Sequence, residues 1–434
     1  MTVALSSRRA VLTPPWVKRQ LWKAAREVPS WHIAPALIGD LTDLVAGQSL
    51  VTFTNSSPAW GFNSSGVLVQ PTSNVPFIEY DPATGSALGW RVWDAVTNLK
   101  TNSESVSAGF TQQQSTVTSD VIAAPSGAQT ADLLVPNTTT ASHASFNASI
   151  ALSSSTLYTW SFFLKAGGYT TAQLSFTSGF GSLTAWANFI LSGAGSVGFK
   201  GTSGTAGIQA LPNGWYRCFL TATSGASATT GGPVLIALDS DRNARDPSFA
   251  GNGVDGVYAW GAQLNTGPLA PYVPTGALTA SSTADVASIT GAAFAGIWNQ
   301  AAWTVYSDST IAASQIKTQG VWEAAGGTYA SSLRQPHSTA NQFRAVVGGT
   351  FSASPGTGGL LTAGTTKAAV AAIGAAGRLQ VGDAGADITS ANAPDPTVLW
   401  IGNLNSATQL NGYIREMATL KSRRPNANLQ AMMQ

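Results

Sequence analysis

The sequence predicts an all-β protein, with two jelly-roll/β-sandwich domains in tandem behind a small β junction and an N-terminal helical anchor. Short alternating apolar segments recur roughly every 10 to 15 residues, with Ser, Gly and Thr between them. Only 10% of the 434 residues are charged, and the chain holds 45 glycines and 14 tryptophans. At about 150 residues per domain, this length allows several domains with buried cores.

Residues 1–45 form the predicted anchor segment, because they combine clustered basic charge with one short helix. Thr13 and Pro14 are typical of a helix start, apolar residues then recur at helical spacing, and Pro29 ends the segment. Such a short helix is marginal alone in water, so it docks either on its own chain or on a partner protein. The candidate anchor residues for a partner are Arg8, Arg9, Trp16, Lys18, Arg19, Trp22, Lys23 and Arg26.

Residues 46–100 form the predicted β junction. Ser49 to Thr54 alternates as a strand does, and short apolar pieces then follow one another between turns such as Asn63-Ser64-Ser65-Gly66 and Asp81-Pro82-Ala83-Thr84-Gly85. The stretch from Asn74 to Gly85 reads N-V-P-F-I-E-Y-D-P-A-T-G, and a bulky segment after it ends at Thr97-Asn98-Leu99.

Residues 101–275 form the predicted first sandwich, with strands such as Tyr158 to Leu164 and Trp215 to Leu220. Two motifs stand out: L-P-N-G-W-Y-R at Leu211 to Arg217, and Y-A-W-G-A-Q-L at Tyr258 to Leu264. The second motif leads to an exit that reads Y-V-P-T. Residues 276–434 form the predicted second sandwich, after a linker of small residues, and end in L-W-I-G and L-N-G-Y-I-R-E motifs.

In this order, these motifs resemble those of tailed-phage, or prophage-derived particle, fibre and spike structural proteins. The motifs of 101–275 resemble a carbohydrate-binding-module-like jelly roll, and those of 276–434 a concanavalin-A-like (laminin-G-like) sandwich. Two departures stand in the junction: Phe77-Ile78-Glu79 replaces Arg-Phe-Asp, and Trp90 to Asp94 replaces the usual Leu-Leu-Ile-Glu-Glu. They leave the fold expectation intact but put any contact of the missing arginine in doubt.

The resemblance implies a virion protein on the head or tail of the particle, made in the cytoplasm of the host bacterium. It implies that the protein attaches to host surface glycans, assembles as a homotrimer and contacts other virion proteins through its N-terminal segment. Two alternatives stay open: a glycan depolymerase or glycoside hydrolase on the same fold, and a purely structural head or tail decoration protein whose sandwiches only space and pack.

Aromatic residues are the candidate glycan contacts, because aromatic faces stack on the apolar faces of sugar rings. Tyr169, Phe180, Trp322 and Tyr329 lie in predicted loops and are the candidates. Trp160, Trp186, Trp215 and Trp260 lie in predicted strands and are expected in the core.

The densest acidic cluster begins Asp-x-Asp-x-Asn, which is typical of the start of a calcium loop. Its sixth and twelfth positions, Ala244 and Ala250, depart from that pattern, and two arginines could neutralise the aspartates instead. The candidates are therefore a calcium site or a salt-bridged loop, formed by Asp239, Asp241, Asn243, Asp246 and Asp255.

The sequence offers no catalytic residues, and we expect no enzyme. Glycosidases use a facing pair of carboxyl groups, yet no Asp or Glu occurs between Asp132 and Asp239. The three histidines lie far apart, and Cys218 is expected to be a buried side chain. A net charge of +2 predicts no nucleic-acid partner, and the chain has neither a long apolar run for a membrane span nor a secretory signal.

Overall fold

The computed structural model describes residues 15–311, 319–326, 332–337, 344–347, 350–353, 364–373, 376–381, 384–389, 396–404 and 408–434. The elements of the first hundred residues are α1 (Pro15–Ala25), β1 (Trp31–Ile33), α2 (Pro35–Ile38), β2 (Thr52–Thr54), β3 (Gly61–Phe62), β4 (Leu68–Val69), β5 (Ile78–Tyr80), β6 (Ala87–Val92) and β7 (Thr97–Asn98).

The middle of the chain forms sixteen strands and two 3₁₀ turns, at Ser178–Phe180 and Pro212–Gly214. The strands are β8 (Thr111–Gln113), β9 (Ser115–Ala123), β10 (Gln129–Pro136), β11 (Ala141–Ser142), β12 (Ala144–Phe146), β13 (Ile150–Ala151), β14 (Leu157–Gly167), β15 (Thr171–Phe176), β16 (Trp186–Ile190), β17 (Ser196–Lys200), β18 (Thr205–Ala210), β19 (Trp215–Thr223), β20 (Thr230–Gly231), β21 (Pro233–Leu238), β22 (Ser248–Phe249) and β23 (Gly256–Thr266).

The described remainder adds β24 (Ala280–Ser281), β25 (Val286–Thr290), α3 (Gly291–Ile297), β26 (Ala302–Ile311), β27 (Gln319–Ala325), β28 (Ser332–His337), β29 (Arg344–Val347), β30 (Thr350–Ala353), β31 (Gly364–Ile373), β32 (Ala376–Val381), β33 (Ala384–Thr389), β34 (Val398–Ile401), β35 (Asn403–Leu404), β36 (Thr408–Gln409), β37 (Gly412–Leu420) and α4 (Asn426–Ala431). Among the described residues no helix is long and apolar enough to cross a membrane.

The middle of the chain forms a sandwich of two six-stranded sheets, which we call the first sandwich. One sheet has the order β18-β19-β14-β23-β10-β9 and the other β17-β16-β15-β21-β12-β8. The strand pairs in both sheets are antiparallel, and alternate side chains of each strand point to one core. Trp160 and Phe162 of the first sheet meet Leu174 and Leu235 of the second in that core.

The second sandwich combines both ends of the chain. Its eight-stranded sheet has the order β33-β32-β31-β26-β37-β6-β5, with β1 also paired to β37, and its seven-stranded sheet has the order β2-β25-β34-β27-β28-β29-β30. Val305 and Ile414 of one sheet pack with Ile289 and Leu399 of the other. The predicted all-β architecture with two sandwiches is therefore confirmed, although the first sandwich is inserted between the two parts of the second.

The sheets divide the chain differently from the predicted boundaries. Strands β1, β2, β5 and β6, from residues 31–92, belong to the sheets of the second sandwich and not to a junction of their own. The hairpin of β3 and β4 packs instead on the first sandwich, where Phe62 and Leu68 contact the cluster of Trp215, Trp260 and Tyr272. Residues 46–100 thus contribute to both sandwiches and tie them together.

Helix α1 packs on its own chain, which is the first of the two alternatives that the sequence left open. Leu21 and Ala25 are buried against Leu429 and Met432 of the C-terminal segment and against strands of the eight-stranded sheet. This burial of its apolar face stabilises a helix of eleven residues that would be marginal alone. The described apolar side chains of α1 therefore pack on the protein itself.

Candidate functional site

A cleft of about 1110 Å³ opens between the two sandwiches. The first sandwich contributes the outer face of β18 and β19 and the segment Pro268 to Pro271, and the second contributes β5, β6, the end of β26 and the start of β37. Its size is that of a site for a small molecule or a short oligomer, and its walls are mostly apolar and neutral polar. It lies at the boundary of two packed units, where binding sites are frequent.

Strand alternation explains which side chains of β19 reach the cleft. Cys218 and Leu220 point into the core of the first sandwich, so Arg217, Phe219 and Thr221 lie on the opposite face of the sheet. Cys218 is fully buried as predicted, and burial raises the pKa of its thiol. The cleft therefore has a floor built by one strand, with a cation, an aromatic ring and a hydroxyl at every second position.

The neighbouring strand β18 shapes this floor. Gln209 pairs in register with Arg217, and Gly207 pairs with Phe219. A Cβ atom at Gly207 would lie 2.3 Å from Cζ of Phe219, so the ring occupies the space directly above this glycine. Phe219 is only partly buried, and its ring therefore provides an aromatic surface at the floor of the cleft.

Arg217 is the buried cation of the floor, with only 7% of its surface exposed. Its Nη2 donates hydrogen bonds to the carbonyl oxygen of Ala270 at 2.7 Å and to Oγ of Ser161 at 3.4 Å. The guanidinium also lies 5.3 Å from the ring centroid of Phe163. Burial lowers the pKa of Arg217 to about 10, against an opposing effect of Glu79, so the side chain stays positive at neutral pH.

The opposite wall carries a buried ion pair. Nη1 of Arg91 donates to Oε2 of Glu79 at 3.3 Å and to the carbonyl oxygen of Trp60 at 2.9 Å, while Nη2 donates to that of Ala59 at 2.6 Å. Oε1 of Glu79 accepts the backbone N–H of Phe62 at 3.3 Å. Glu79 therefore has its counter-ion, and it holds together the strands and the hairpin that join the sandwiches.

Two further aromatic residues complete the second wall. Tyr80 and Tyr413 are partly buried and line the cleft, and Ile414, the next residue on β37, points into the core of the second sandwich. Burial raises the pKa of the Tyr413 phenol, and the nearby Glu79 raises it further. The phenol therefore remains a protonated hydrogen-bond donor at neutral pH.

The described lining of this cleft combines one carboxylate with aromatic rings and neutral polar groups. Glu79 is the one carboxylate among the described lining residues, and it is engaged by Arg91. Hydrolysis of a glycosidic bond uses two carboxyl groups that face one bond. The aromatic faces, the hydroxyls of Thr205 and Thr221 and the Gln209 amide are instead suited to hold a polar, ring-containing ligand.

The predicted glycan contacts do not come together here. Phe180 is fully buried and stacks on Phe176, with ring centroids 3.9 Å apart, and Trp322 is fully buried against Trp303 at 6.3 Å. The prediction was wrong for both, because a side chain without exposed surface cannot contact a sugar. Tyr169 is partly exposed, and its hydroxyl oxygen accepts the N–H of Asn252 at 3.2 Å, away from the cleft. Tyr329 lies outside the described residues.

The strand tryptophans behave as predicted. Trp160 and Trp260 are fully buried, and Trp186 and Trp215 have exposed fractions of only 8% and 3%. Trp160 fills the core between the two sheets. Trp215 and Trp260 lie on the outer face of their sheet and are buried there against the hairpin of β3 and β4 and Tyr272.

The acidic loop forms hydrogen bonds and ion pairs within the protein. Asp239 pairs with Arg242 at 2.6 Å, and this arginine lowers the pKa of the carboxyl. Oδ1 of Asp241 accepts the Asn188 amide at 2.7 Å and the N–H of Phe199 at 3.0 Å. These two carboxylates are therefore held by separate partners.

The other members of the acidic loop are also held apart. Asp246 contacts Arg245 at 2.9 Å and Ser175 at 2.8 Å, and its burial raises the pKa of the carboxyl. Asp255 accepts the Asn252 amide at 2.6 Å, and Asn243 is exposed. No group of three His, Cys, Asp or Glu side chains among the described residues is arranged to hold a metal ion. The two ion pairs are those expected of the salt-bridged loop that the sequence offered beside a calcium site.

The candidate anchor residues lie on and before α1. Lys23 and Arg26 are exposed, whereas Trp22 is partly buried and donates its indole N–H to Nδ1 of His32. For Trp16, Lys18 and Arg19 the structure describes only the backbone. Arg8 and Arg9 lie outside the described residues. The structure thus assigns the apolar face of the helix to the protein itself and leaves basic groups facing solvent.

Sequence reasoning missed Arg217, Phe219, Glu79 and Tyr413. The signal for the first two was present, because Arg217 and Phe219 alternate with the apolar residues of a recognisable strand. What faces that side of the strand is decided by the second sandwich, whose strands come from distant parts of the chain. The sequence carried no local pattern for that contact.

No protein-family model matches the chain, and neither does any curated protein. Two solved structures similar to it are domains LG4-5 of the mouse laminin alpha1 chain and the N-terminal CBM22-1-CBM22-2 tandem domain of Paenibacillus barcinonensis Xyn10C. The first is 6% identical with a TM-score of 0.22 and covers 76% of this chain and 88% of its own. The second is 8% identical with a TM-score of 0.23 and covers 76% and 97%.

Proposed function

We propose that this protein is a non-catalytic glycan-binding fibre or spike component of a tailed phage or phage-like particle, and that a surface glycan of the host binds in the cleft between the sandwiches. The observation that carries the binding function is the floor of that cleft, where a half-buried aromatic ring lies beside polar groups on one strand face. Aromatic stacking combined with a few directed hydrogen bonds is how proteins hold sugar rings.

The absence of a second carboxylate among the described lining residues supports attachment rather than cleavage. A single site of this kind binds with a Kd of roughly 0.1–1 mM. Several copies on one particle raise the avidity by about 10²–10⁴ through effective concentration, provided that the copies reach the surface together. A homotrimer, which the resemblance to phage fibre and spike proteins implies, is one way to present such copies.

The virion part of the proposal rests on the motifs at Asn74 to Gly85, Leu211 to Arg217 and Tyr258 to Leu264, and on the basic N-terminal segment. With the apolar face of α1 buried, virion partners would contact its basic side and the residues before it. Immunogold labelling of intact particles with an antibody against this protein tests this part. Label on the head or tail supports it, and particles without label contradict it.

The binding part is tested by Phe219→Ala, with Phe199→Ala as the matched control. Phe199 has 46% of its surface exposed, lies on β17 of the other sheet and is not part of the cleft. Purified full-length variants are compared for retention on host cells and on immobilised host surface polysaccharide. We expect Phe219→Ala to lose retention and Phe199→Ala to keep it, because only the first change removes the stacking surface.

Equal retention of both variants would contradict a glycan site in the cleft and favour sandwiches that only space and pack. The hydrolase alternative has its own readout in the same samples. Release of reducing ends from the polysaccharide, abolished by Glu79→Gln, would replace attachment with cleavage as the function.

A further inference from the structure

We propose that the cleft recognises an anionic sugar, and that Arg217 binds its carboxylate while Phe219 stacks on its ring; this inference rests on the proposed glycan-binding function. The ligand class is a pyranose with a carboxylate substituent, such as a hexuronic acid. The argument starts from the charge balance of the two buried arginines beside the cleft.

Arg91 and Arg217 are both almost completely buried, with exposed fractions of 2% and 7%. Arg91 has a counter-ion in Glu79 and accepting carbonyl oxygens for both of its Nη atoms. Arg217 has no ion pair among the described residues, and its Nη2 hydrogen bonds go to neutral acceptors only. Of the two buried arginines beside the cleft, Arg91 therefore has an ion-pair partner and Arg217 has none among the described residues.

The hydrogen-bonding capacity of Arg217 is also incompletely used. A guanidinium has five N–H donors, and the two hydrogen bonds that Arg217 makes both start from Nη2. Its Nη1 donates none of the hydrogen bonds found among the described residues, and its Nε is buried without a partner there. A buried charge is costly when it lacks a counter-ion, so an anion that enters the cleft gains an interaction that the protein itself leaves open.

The placement of Phe219 explains why the anion belongs to a sugar. Arg217 and Phe219 are two positions apart on β19 and lie on the same face, so their Cα atoms are roughly 7 Å apart. That distance fits one pyranose ring, which can stack on the phenyl group while its carboxylate reaches the guanidinium. Gln209, in register with Arg217, supplies a neutral amide beside that carboxylate for the ring hydroxyls.

Other charges near the cleft do not cancel this preference. Glu79 faces the same space and also acts on Arg217 electrostatically, but its ion pair and hydrogen bond are with Arg91. Asp285, which also lies near Arg91, accepts the Asn55 amide and the N–H of Trp93, and its burial raises the pKa of the carboxyl. Arg217 remains the cationic group among the described lining residues.

The test uses two matched pairs of probes with the full-length protein: methyl galacturonoside against methyl galactoside, and methyl glucuronoside against methyl glucoside. The members of each pair differ only in a carboxylate in place of a hydroxymethyl group. Binding is measured by calorimetry or by ligand-detected NMR. We expect at least one acid to bind roughly ten- to a hundredfold more tightly than its neutral partner, since hydrogen bonds to charged groups are the stronger ones.

Arg217→Gln is then compared with Arg242→Gln, which changes the same residue type in the exposed ion pair with Asp239. We expect Arg217→Gln to abolish the preference for the acid while binding of the neutral sugar persists. Arg217→Lys should retain part of the preference, because it keeps the charge and loses the planar fork. Arg242→Gln should behave as the parent protein does.

The outcomes separate this inference from the proposed function. Equal binding of acid and neutral sugars by the parent protein, with loss of both in Phe219→Ala, would overturn the role of Arg217 and leave the glycan site standing. An acid preference that survives in a folded Arg217→Gln variant would also overturn the role of Arg217 and leave the glycan site standing. Binding of none of the four sugars would overturn the inference, while retention on the host polysaccharide would still decide the proposed function. The ratio of the affinities for the acid and the neutral sugar is measured on the parent protein. It therefore tests the inference even if Arg217→Gln fails to fold.

Discussion

The indole N–H of Trp22 donates a hydrogen bond of 3.1 Å to Nδ1 of His32, whose Nε2 lies 2.7 Å from Oε1 of Glu416. His32 is fully buried on β1, and Glu416 lies on β37, the strand to which β1 is paired. Because an indole nitrogen only donates, Nδ1 is the acceptor, and the ring proton is therefore on Nε2, directed at the carboxylate. These two hydrogen bonds connect helix α1 to the centre of the eight-stranded sheet.

Trp22→Phe removes the indole N–H and keeps an aromatic ring. We expect a loss of about 1 kcal/mol in the free energy of unfolding, because the buried Nδ1 of His32 loses its donor. Trypsin should also cut more rapidly within α1. Trp298→Phe is the matched control, since the Trp298 indole donates its hydrogen bond to Gln300, two residues away in the same segment. Equal cleavage rates for the two variants would show that the hydrogen bond does not hold the helix.

Deletion of residues 1–30 tests what the N-terminal segment does for the fold. The deletion removes Leu21 and Ala25 from a cluster that includes Leu429 and Met432, and it exposes these side chains to water. We expect a folded β-protein with a lower thermal midpoint, and its absence from particles if the segment is the virion anchor. A midpoint equal to that of the full chain would contradict a structural role of α1.

Lys100 predicts a pH dependence of stability in the alkaline range. Its side chain is fully buried, with Nζ bonded to the carbonyl oxygen of Thr101 and 4.1 Å from the ring centroid of Phe110, and burial lowers its pKa to about 8. Above that pH the unfolded chain binds more protons than the folded one, up to the ordinary lysine value of 10.5. The free energy of unfolding should therefore rise with pH in this window.

Urea denaturation of the parent, Lys100→Gln and Lys200→Gln measures this effect between about pH 8 and 10. Lys200 is exposed on β17 and serves as the control. We expect the difference in stability between parent and Lys100→Gln to grow with pH, and the difference for Lys200→Gln to stay constant. The buried tyrosines affect all three proteins alike. A constant difference for Lys100→Gln would mean that this lysine does not titrate in the window.

Phe180→Ala and Trp322→Ala should act on stability and not on binding. Each side chain is fully buried, so its truncation costs about 3–5 kcal/mol in the free energy of unfolding. Phe199→Ala, at an exposed position, should cost less than about 0.5 kcal/mol. Chemical denaturation gives the values. A variant of Phe180 or Trp322 that keeps its stability but loses glycan retention would support that residue as a glycan contact.

The acidic loop should be insensitive to calcium. Oδ1 of Asp241 already accepts protein donors from Asn188 and Phe199, and Asp239 is paired with Arg242. We expect the same thermal midpoint in calcium and in a chelator. Asp241→Asn should lower the free energy of unfolding by about 1–2 kcal/mol in both, since it weakens two hydrogen bonds to a charged acceptor. A midpoint that rises with calcium in the parent and not in Asp241→Asn would establish an ion site.

Local patterns in the sequence determined the all-β class, the strands of the first sandwich and the buried positions along them. Trp160 and Cys218 were assigned to the core between the sheets from alternation, because a strand between two sheets buries every second residue. Trp215 and Trp260 are buried as well, but on the outer face of their sheet, where the hairpin of β3 and β4 covers them. The helix of the N-terminal segment was also predictable, since its spacing of apolar residues and its prolines are local signals.

The tertiary structure decided what those elements contact. Strands β5 and β6 follow turn motifs that suggested a separate junction, yet β6 pairs with β37, more than three hundred residues later in the chain. Loop aromatic residues such as Phe180 became core, and the outward side of β19 became the floor of a cleft. Periodicity specifies the two faces of a strand, but which partner covers each face depends on long-range pairing that a local pattern does not encode.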